Sequence, residues 1–268
     1  MITTTRRRLF MLAAGSAFYR AAPAWAGETE LAALRSRGVI RIGTSGTSPP
    51  YTGIDFANNL TGYDIDWGNL IGKGLGLRVE WAKIDFRGLM IALQSGQVDA
   101  LMSGIRITPE RTQSFTFSRP YAYDETVAVV GSADTSIHDF AGIAGHQIAV
   151  VAGSYQEQVA RAIPGATSVM ALPSAGDVFM SLRTGHADVA VLGMSAISYY
   201  RKSGHDDFKV VATGAQATPQ GVVFRKGADD LKAAVDAIID EKIRDGTYAR
   251  LYTQYFGIAP PPVDGMQH

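Results

Sequence analysis

One pattern occurs twice in the chain, and it constrains the fold more than any other feature. Leu93 to Asp99 and Leu182 to Asp188 both read Leu-x-x-Gly-x-x-Asp. In each copy a helical pattern stops at the glycine, and a short apolar segment typical of a buried strand follows. Any helix that ends at glycine before a strand produces a similar pattern. Two copies in a chain of 268 residues nevertheless favour two similar α/β lobes.

Helical and strand patterns alternate along the rest of the chain. In the first cycle, helices are predicted at 28–37, 64–75 (with Asp64 as its cap) and 86–95, and strands at 39–43, 77–84 and 99–102. In the second cycle, strands are predicted at 125–131, 147–152, 188–192, 210–213 and 221–224, with helices after 153–155, after Ser174 and at 230–255. The alternation predicts an α/β fold with mixed, mostly parallel sheets that carry helices on both faces.

The N-terminus has the features of an export signal. Residues 5–10 are basic, residues 9–18 are apolar but too short to cross a bilayer, and Ala24-Trp25-Ala26 is an Ala-x-Ala cleavage site. We expect residues 1–26 to be a twin-arginine-like signal peptide that is cleaved near Ala26, and the mature protein to be periplasmic. An uncleaved anchor and the general secretory route remain alternatives.

Composition excludes several classes of function. Acidic and basic residues number 25 each, which argues against electrostatic binding to nucleic acid. The chain has no cysteine, which rules out disulfides, cysteine metal sites and a thiol nucleophile. The five histidines are scattered without the spacing of metal ligands, so neither a metal nor a cofactor is expected.

The stretch from Asp99 to Arg111 is the strongest candidate for a binding site. A short buried strand enters a polar turn, and Thr108-Pro109 then has the pattern of a capped helix start. The turn presents Ser103 and the guanidinium groups of Arg106 and Arg111 at the carboxyl end of a strand, where ligands bind in open α/β sheets. The residues predict a site for a small carboxylate.

Motifs in order along nearly the whole mature chain resemble a known family. They are Pro49-Pro50-Tyr51, Gly62-Tyr-Asp-Ile-Asp66, Asp85-Phe86-Arg-Gly-Leu89, Leu93 to Arg111, Phe117-Ser-Arg-Pro-Tyr121, Asp245-Gly-Thr-Tyr248 and Tyr255-Phe-Gly257. Together they resemble the periplasmic solute-binding proteins of ABC importers, in the polar-amino-acid-type group, family 3.

The resemblance implies a two-lobed, type II periplasmic-binding-protein fold with a two-segment hinge. Lobe one is expected at 27–123 plus 222–268, lobe two at 128–216, and the hinges near 124–127 and 217–221. Such a protein captures an amino acid or a related organic acid between closing lobes and delivers it, as a monomer, to a membrane ABC permease.

The resemblance also implies roles for particular residues. Arg111 matches the arginine that holds the ligand carboxylate, and a guanidinium fork suits that task; the alternative is an arginine paired on a helix surface. Ser103 and Gly104 match positions that bond the ligand, and Tyr51 belongs to the Pro-Pro-aromatic motif. Phe86 matches an aromatic platform, with plain core as the alternative. On lobe two, the implied binding residues are Ser154 and Tyr155, at a helix N-terminus.

Four positions depart from the family pattern and weaken the expectation of an amino-acid ligand. Ser45 and Gly193 stand where acids for the ligand ammonium are expected, Ser48 stands where an aromatic residue is common, and Arg106 replaces a small hydroxyl residue. An ammonium enclosed without an anion loses roughly 3–5 kcal/mol, which the hinge acids Asp124 and Glu125 could offset in part. The pattern favours an anionic ligand without an ammonium. It leaves open whether the Arg106 side chain faces the cleft or leaves it.

Two rival functions remain at this point. Exported cyclohexadienyl dehydratases resemble these binding proteins, but such an enzyme needs a proton donor across the cleft, and Gly193 stands at the obvious lobe-two acid position. A sensory or assembly protein that signals through its closed form is the other rival. The expectation is a carrier and not an enzyme.

Overall fold

A computed structural model describes residues 29–166, 168–214 and 216–261. The predicted signal peptide, its cleavage site near Ala26 and residues 262–268 of the tail lie outside these ranges. Among the described residues, no helix is both long and apolar enough to cross a membrane.

The first lobe is built around a five-stranded sheet. In sheet order its strands are β4 (Arg78–Lys83), β1 (Val39–Thr44), β5 (Ala100–Leu101), β14 (Val223–Arg225) and β6 (Phe115–Phe117). Strand β1 runs parallel to both β4 and β5, whereas β14 runs antiparallel to β5 and β6. A small hairpin, β2 (Gly53–Ile54) with β3 (Leu60–Thr61), lies beside it. The helices of this lobe are α1 (Glu30–Arg37), α2 (Tyr63–Leu75), α3 (Leu89–Gln94), α4 (Pro109–Ser114), α8 (Asp229–Arg244) and α9 (Thr247–Phe256).

The second lobe has a sheet of similar design. In sheet order its strands are β10 (Ser168–Leu172), β9 (Gln147–Val151), β11 (Val189–Gly193), β8 (Thr126–Gly131) and β12 (Phe208–Thr213). Strands β10, β9 and β11 are parallel, and β8 is antiparallel to β11 and β12. The helices are α5 (Tyr155–Ala162), α6 (Ala175–Arg183) and α7 (Met194–Lys202). The α/β class with mixed sheets in two lobes is therefore confirmed.

The chain crosses between the lobes twice, and the two crossings pair with each other. Strand β7 (Ala122–Asp124) leads out of the first lobe, and β13 (Thr218–Gln220) leads back; the two form an antiparallel ladder. Only short backbone segments join the sheets within the described ranges, and they lie at the base of the space between the lobes.

The two aspartates of the repeated pattern, Asp99 and Asp188, form equivalent hydrogen bonds in their lobes. The backbone N–H of Asp99 donates to the Arg41 carbonyl, and its carboxylate accepts from the Arg41 N–H at 2.8 Å. Asp188 forms the same two bonds with Gln147, whose N–H lies 2.9 Å from the carboxylate. Each aspartate thus holds the neighbouring strand through two hydrogen bonds, which explains why the same residue ends the pattern in both lobes.

Asp64 corrects one expectation. Helix α2 begins at Tyr63, its N-cap position is Gly62, and no side chain caps it. The Asp64 carboxylate is instead fully buried, and it accepts hydrogen bonds from the Gly104 N–H at 2.6 Å and the Tyr121 hydroxyl at 2.8 Å. Burial raises the pKa of Asp64 to about 7, against these two hydrogen bonds. The prediction that Asp64 caps the helix is wrong because the carboxylate turns inward to brace the turn at Gly104.

Candidate functional site

A cavity of about 70 Å³ lies between the lobes, where the two crossings meet them. Its first-lobe wall consists of Ser48, Pro49, Tyr51, Phe86, Ser103, Gly104 and Arg106. Its second-lobe wall consists of Val151, Ser154, Gln156, Ala175, Leu192, Gly193, Ser195 and Ala196. Each crossing adds one residue, Asp124 and Gln220.

The turn after β5 forms one side of the cavity, where the sequence places Ser103 and Gly104. The Ser103 hydroxyl donates to the Ser45 hydroxyl at 2.9 Å and accepts from the Ser45 N–H at 3.1 Å. Ser45 is buried and lies behind the wall, so it positions Ser103 and does not line the cavity. Gly104 has φ +64°, and a β-carbon there would lie 2.9 Å from the Tyr51 ring, so glycine lets that ring pack against the turn.

Arg111 lies in the first turn of α4; it is not one of the residues that line the cavity, but it contacts the backbone of Arg106, which is. Thr108 caps the helix by accepting from the Arg111 N–H at 3.2 Å, and Pro109 occupies the first position, as predicted. The guanidinium donates to the Arg106 carbonyl and, across the lobes, to the Gly153 carbonyl, each at 3.1 Å. Burial lowers the pKa of Arg111 to about 10, so it stays charged at neutral pH. Among the described residues it forms no salt bridge, although the exposed Glu110 carboxylate nearby opposes part of the effect of burial on its pKa.

Arg106 faces the cleft, but it is not a free cation. Its guanidinium donates to the Asp124 carboxylate at 3.0 Å and also to the Asp124 backbone carbonyl. The side chains of Arg106 and Asp124 are only 3% and 5% exposed. Ser195 completes the network, since its N–H and hydroxyl donate to the same carboxylate at 3.0 and 2.7 Å. Counting Arg106 as an available positive charge is therefore wrong, because this ion pair neutralises it.

The second-lobe wall begins at the turn before α5. Ser154 caps the helix by accepting from the Glu157 N–H at 3.1 Å, and both Ser154 and Gln156 line the cavity. Tyr155 does not join them: its side chain lines a separate groove with Val159. Consecutive residues of a helix point in directions about 100° apart, which separates Tyr155 from its two neighbours.

Comparison with known proteins accounts for this arrangement. Residues 40–258 match the family described as bacterial extracellular solute-binding proteins, family 3. The chain belongs to this family. The L-cystine-binding protein TcyJ of Escherichia coli K12 is 26% identical over 234 residues, which cover 87% of this chain and 88% of that protein.

Two solved structures are also similar to this solute-binding protein. One is an ancestral arginine-binding protein bound to arginine, with 32% identity and a TM-score of 0.78, covering 82% of this chain and 99% of that chain. The other is AncCDT-1, an ancestral amino acid-binding protein described as a precursor of cyclohexadienyl dehydratase. It has 31% identity and a TM-score of 0.79, and the match covers 85% of this chain and 100% of that chain. These likenesses bear out the resemblance in the sequence motifs.

Phe86 lies between the two lobes and contacts both. It begins a short 3-10 turn (Phe86–Gly88) that leads into α3. Its ring packs against buried residues of both lobes, against the cluster around Leu89 in the first and against the cluster around Phe179 in the second. Phe86 is thus both a wall of the cavity and an apolar contact between the lobes.

Sequence reasoning did not assign three polar residues of the cavity to the site: Gln156, Ser195 and Gln220. It named Asp124 only as a hinge acid. The available signal was the combination of an arginine at 106 with a glycine at 193. Arg106 is a large cation in place of a small residue, and Gly193 has no side chain that could pair with it. The two together indicate that another residue pairs with Arg106. Among the described residues, no group of histidine, aspartate or glutamate side chains is arranged to hold a metal ion.

Proposed function

We propose that this chain is an exported carrier that captures a small carboxylate-bearing ligand, an amino acid or a related organic acid, between two closing lobes. It then delivers the ligand to a membrane ABC-type permease. The single observation that carries the proposal is Arg111, a buried cation that forms no salt bridge among the described residues and donates to the backbone carbonyls of Arg106 and Gly153. Burying a charge without a counter-charge is expensive, so such a residue is retained for a partner that arrives from outside.

The surroundings of Arg111 suit a carboxylate. Its guanidinium contacts the carbonyl of Gly153, and the next residue, Ser154, is the N-cap of α5. The N-terminus of a helix carries a partial positive charge, part of which the Glu157 carboxylate already neutralises here by accepting from the Gly153 N–H at 2.7 Å. A carboxylate placed between Arg111 and this N-terminus meets positive potential from both lobes, and a planar guanidinium can bind it through two parallel hydrogen bonds.

The two crossings supply the proposed hinge, near 124–127 and 217–221. With this hinge, we propose that lobe one consists of 27–123 plus 222–268 and lobe two of 128–216. The lobes meet through the bond from Arg111 to Gly153 and through the Gln158 side-chain amide, which donates to Glu110 at 2.9 Å. Both contacts join the two lobes, so the proposed rotation about the crossings breaks them as the space between the lobes opens. We propose that the carrier acts as a periplasmic monomer.

An enzymatic role on the same scaffold has less support. A dehydratase needs a proton donor that faces the ligand, and the acid in the described cavity wall is Asp124. That carboxylate accepts three hydrogen bonds, from Arg106 and Ser195, and is engaged as an acceptor. Relatives described as binding proteins also favour transport.

The test is a thermal-shift screen of the mature protein, followed by calorimetry. The panel contains amino acids, hydroxy acids, diacids and aromatic acids, each beside the amide of the same acid. We expect at least one acid to raise the unfolding temperature while its amide does not, since tight ligands stabilise the state they bind. Arg111→Met should abolish the shift, and Arg250→Met, which removes an exposed arginine on α9, should preserve it. Undiminished affinity in Arg111→Met would contradict the proposal.

A further inference from the structure

The two charged side chains of the cavity wall neutralise each other. Asp124 and Arg106 form a buried pair, and Ser195 satisfies the same carboxylate from the other lobe. The pair is therefore neutral without any ligand. Arg111 lies behind the Arg106 segment of the wall, and the acids near it are Glu110 on its own helix and Glu157, which accepts from the Gly153 N–H.

The pair also occupies the space next to Gly193. A β-carbon on Gly193 would lie 2.1 Å from Oδ2 of Asp124 and 3.2 Å from a guanidinium nitrogen of Arg106. The acceptor edge of Asp124 thus faces the Gly193 backbone and the Arg106 guanidinium. A ligand ammonium reaches this carboxylate only by displacing the guanidinium, and that leaves a buried cation unpaired.

Among the described residues, two that line the cavity carry a buried polar atom that forms no hydrogen bond of ordinary geometry. They are the hydroxyl of Tyr51, a residue 4% exposed, and the side-chain oxygen of Gln220, a residue 1% exposed. Ser195 lies near the Tyr51 hydroxyl, but its own hydroxyl donates to Asp124. Burial raises the pKa of Tyr51 well above its ordinary value, so the hydroxyl keeps its proton at neutral pH. The tyrosine has a proton to donate and the glutamine oxygen needs one, and a ligand hydroxyl can satisfy both because it accepts and donates.

The volume restricts the ligand further. A water molecule needs roughly 10–15 Å³ of cavity measured in this way, so the 70 Å³ here corresponds to about five to seven waters. A ligand that fits without wider opening has about six or seven heavy atoms. Short hydroxy acids are of this size.

We infer that the cavity takes a small hydroxycarboxylate with one negative charge and no ammonium group. This inference rests on the proposed function. The carboxylate binds at Arg111, and the ligand hydroxyl accepts from Tyr51 and donates to Gln220. The Arg106–Asp124 pair takes the place of a ligand ammonium and discriminates against α-amino acids.

Calorimetry with matched ligand pairs tests the inference. L-lactate is compared with L-alanine and with propionate, and D-glycerate with D-serine, on the mature protein at pH 7.5. We expect each hydroxy acid to bind at least about 100-fold more tightly than its amino counterpart, because the ammonium finds no free anion. We expect lactate to exceed propionate by about 5-fold to 50-fold, the usual range for a buried hydrogen-bonding group.

Tyr51→Phe separates the hydroxyl contact from the packing of the ring. In this variant the ratio of lactate affinity to propionate affinity should fall at least about 5-fold. Tyr248→Phe is the matched control, because the Tyr248 hydroxyl is also buried without a partner but lies outside the cavity wall. The control should leave both affinities unchanged.

The possible results distinguish a failure of this inference from a failure of the proposed function. If alanine or serine binds as tightly as its hydroxy counterpart, the inference is overturned and carboxylate capture stands. If Tyr51→Phe leaves the ratio of lactate to propionate affinity unchanged, the placement of the ligand hydroxyl is overturned. If neither pair binds but another acid of the screen does, the ligand class is overturned alone; if no acid binds at all, the proposed function falls as well.

Discussion

Adding one methyl group at Gly193 should destabilise the empty protein severely. In Gly193→Ala the new carbon would lie 2.1 Å from Oδ2 of Asp124, so carboxylate or backbone must move by roughly an ångström to reach an ordinary contact. Bonds of 2.7 and 3.0 Å from Ser195 and 3.0 Å from Arg106 hold the carboxylate in place. Displacing it unpairs a buried cation, which costs about 3–5 kcal/mol.

Urea unfolding measured by circular dichroism gives the free energy of unfolding for this comparison. Thermal unfolding gives the second measure. In a chain of this size, a loss of about 1 kcal/mol in unfolding free energy lowers the unfolding temperature by about 2–4 °C, so that of Gly193→Ala should fall by about 6–20 °C. Gly131→Ala is the control, because a β-carbon there has no neighbour within 4 Å and the residue also ends a strand of the second lobe. We expect the control to lie within about 0.5 kcal/mol of the wild type.

A double variant tests the cause. Gly193→Asp combined with Asp124→Gly moves the carboxylate from the crossing to the strand, beside the same Arg106 guanidinium. Each single change should be strongly destabilising, and the double variant should recover at least about 2 kcal/mol relative to their sum. A loss in Gly193→Ala no larger than that of the Gly131 control would refute the reasoning, and so would strictly additive effects in the cycle.

Three further outcomes follow from buried charges. Arg111→Met should leave the unfolding free energy of the ligand-free protein unchanged or raise it by up to about 3 kcal/mol, since burial, opposed by Glu110 and assisted by Arg106, lowers the pKa of Arg111 to about 10. Urea unfolding that shows a loss above about 1 kcal/mol contradicts this. Because the folded pKa of Asp64 is raised from 3.8 to about 7, its contribution is full below pH 4 and is lost as the pH rises through 7. The stability of Asp64→Asn relative to wild type should therefore rise by up to about 4 kcal/mol between pH 4 and pH 8, and a difference independent of pH would rule this out. Asp99→Asn should cost about 2–4 kcal/mol at pH 7, because the hydrogen bonds from Arg41 outweigh burial and keep the pKa of Asp99 low; the deficit should shrink as the pH falls below 4, measured in the same way.

Local chemistry made much of the fold predictable. Gly96 and Gly185 have φ values of +75° and +72°, which glycine adopts without strain, so the positions where α3 and α6 end could be seen in the sequence. Thr108 and Pro109 begin α4 by the same kind of local rule. The turn after β5 and the helix start after β9 were therefore identifiable as candidate binding segments.

The rest depends on contacts between distant parts of the chain. The partner of Arg106 is 18 positions away, and the hydroxyl that supports the pair is 71 positions further along from Asp124. Periodicity does not tell whether Asp64 turns outward to cap a helix or inward toward Gly104, because both choices leave the helix in place. These directions emerge only when the two lobes and the crossings are assembled.

Contact between the lobes has a consequence for the speed of binding. The bonds from Arg111 to Gly153 and from Gln158 to Glu110 join the two lobes whose residues wall the cavity. If the lobes close over the solute as we propose, the solute enters and leaves only while these bonds are broken, so both rates are multiplied by the fraction of time that the cleft stands open. At high solute concentration the observed capture rate should level off at the rate of opening. The residence time of the solute would then depend also on Phe86, because this ring leaves one of its two apolar clusters each time the lobes separate.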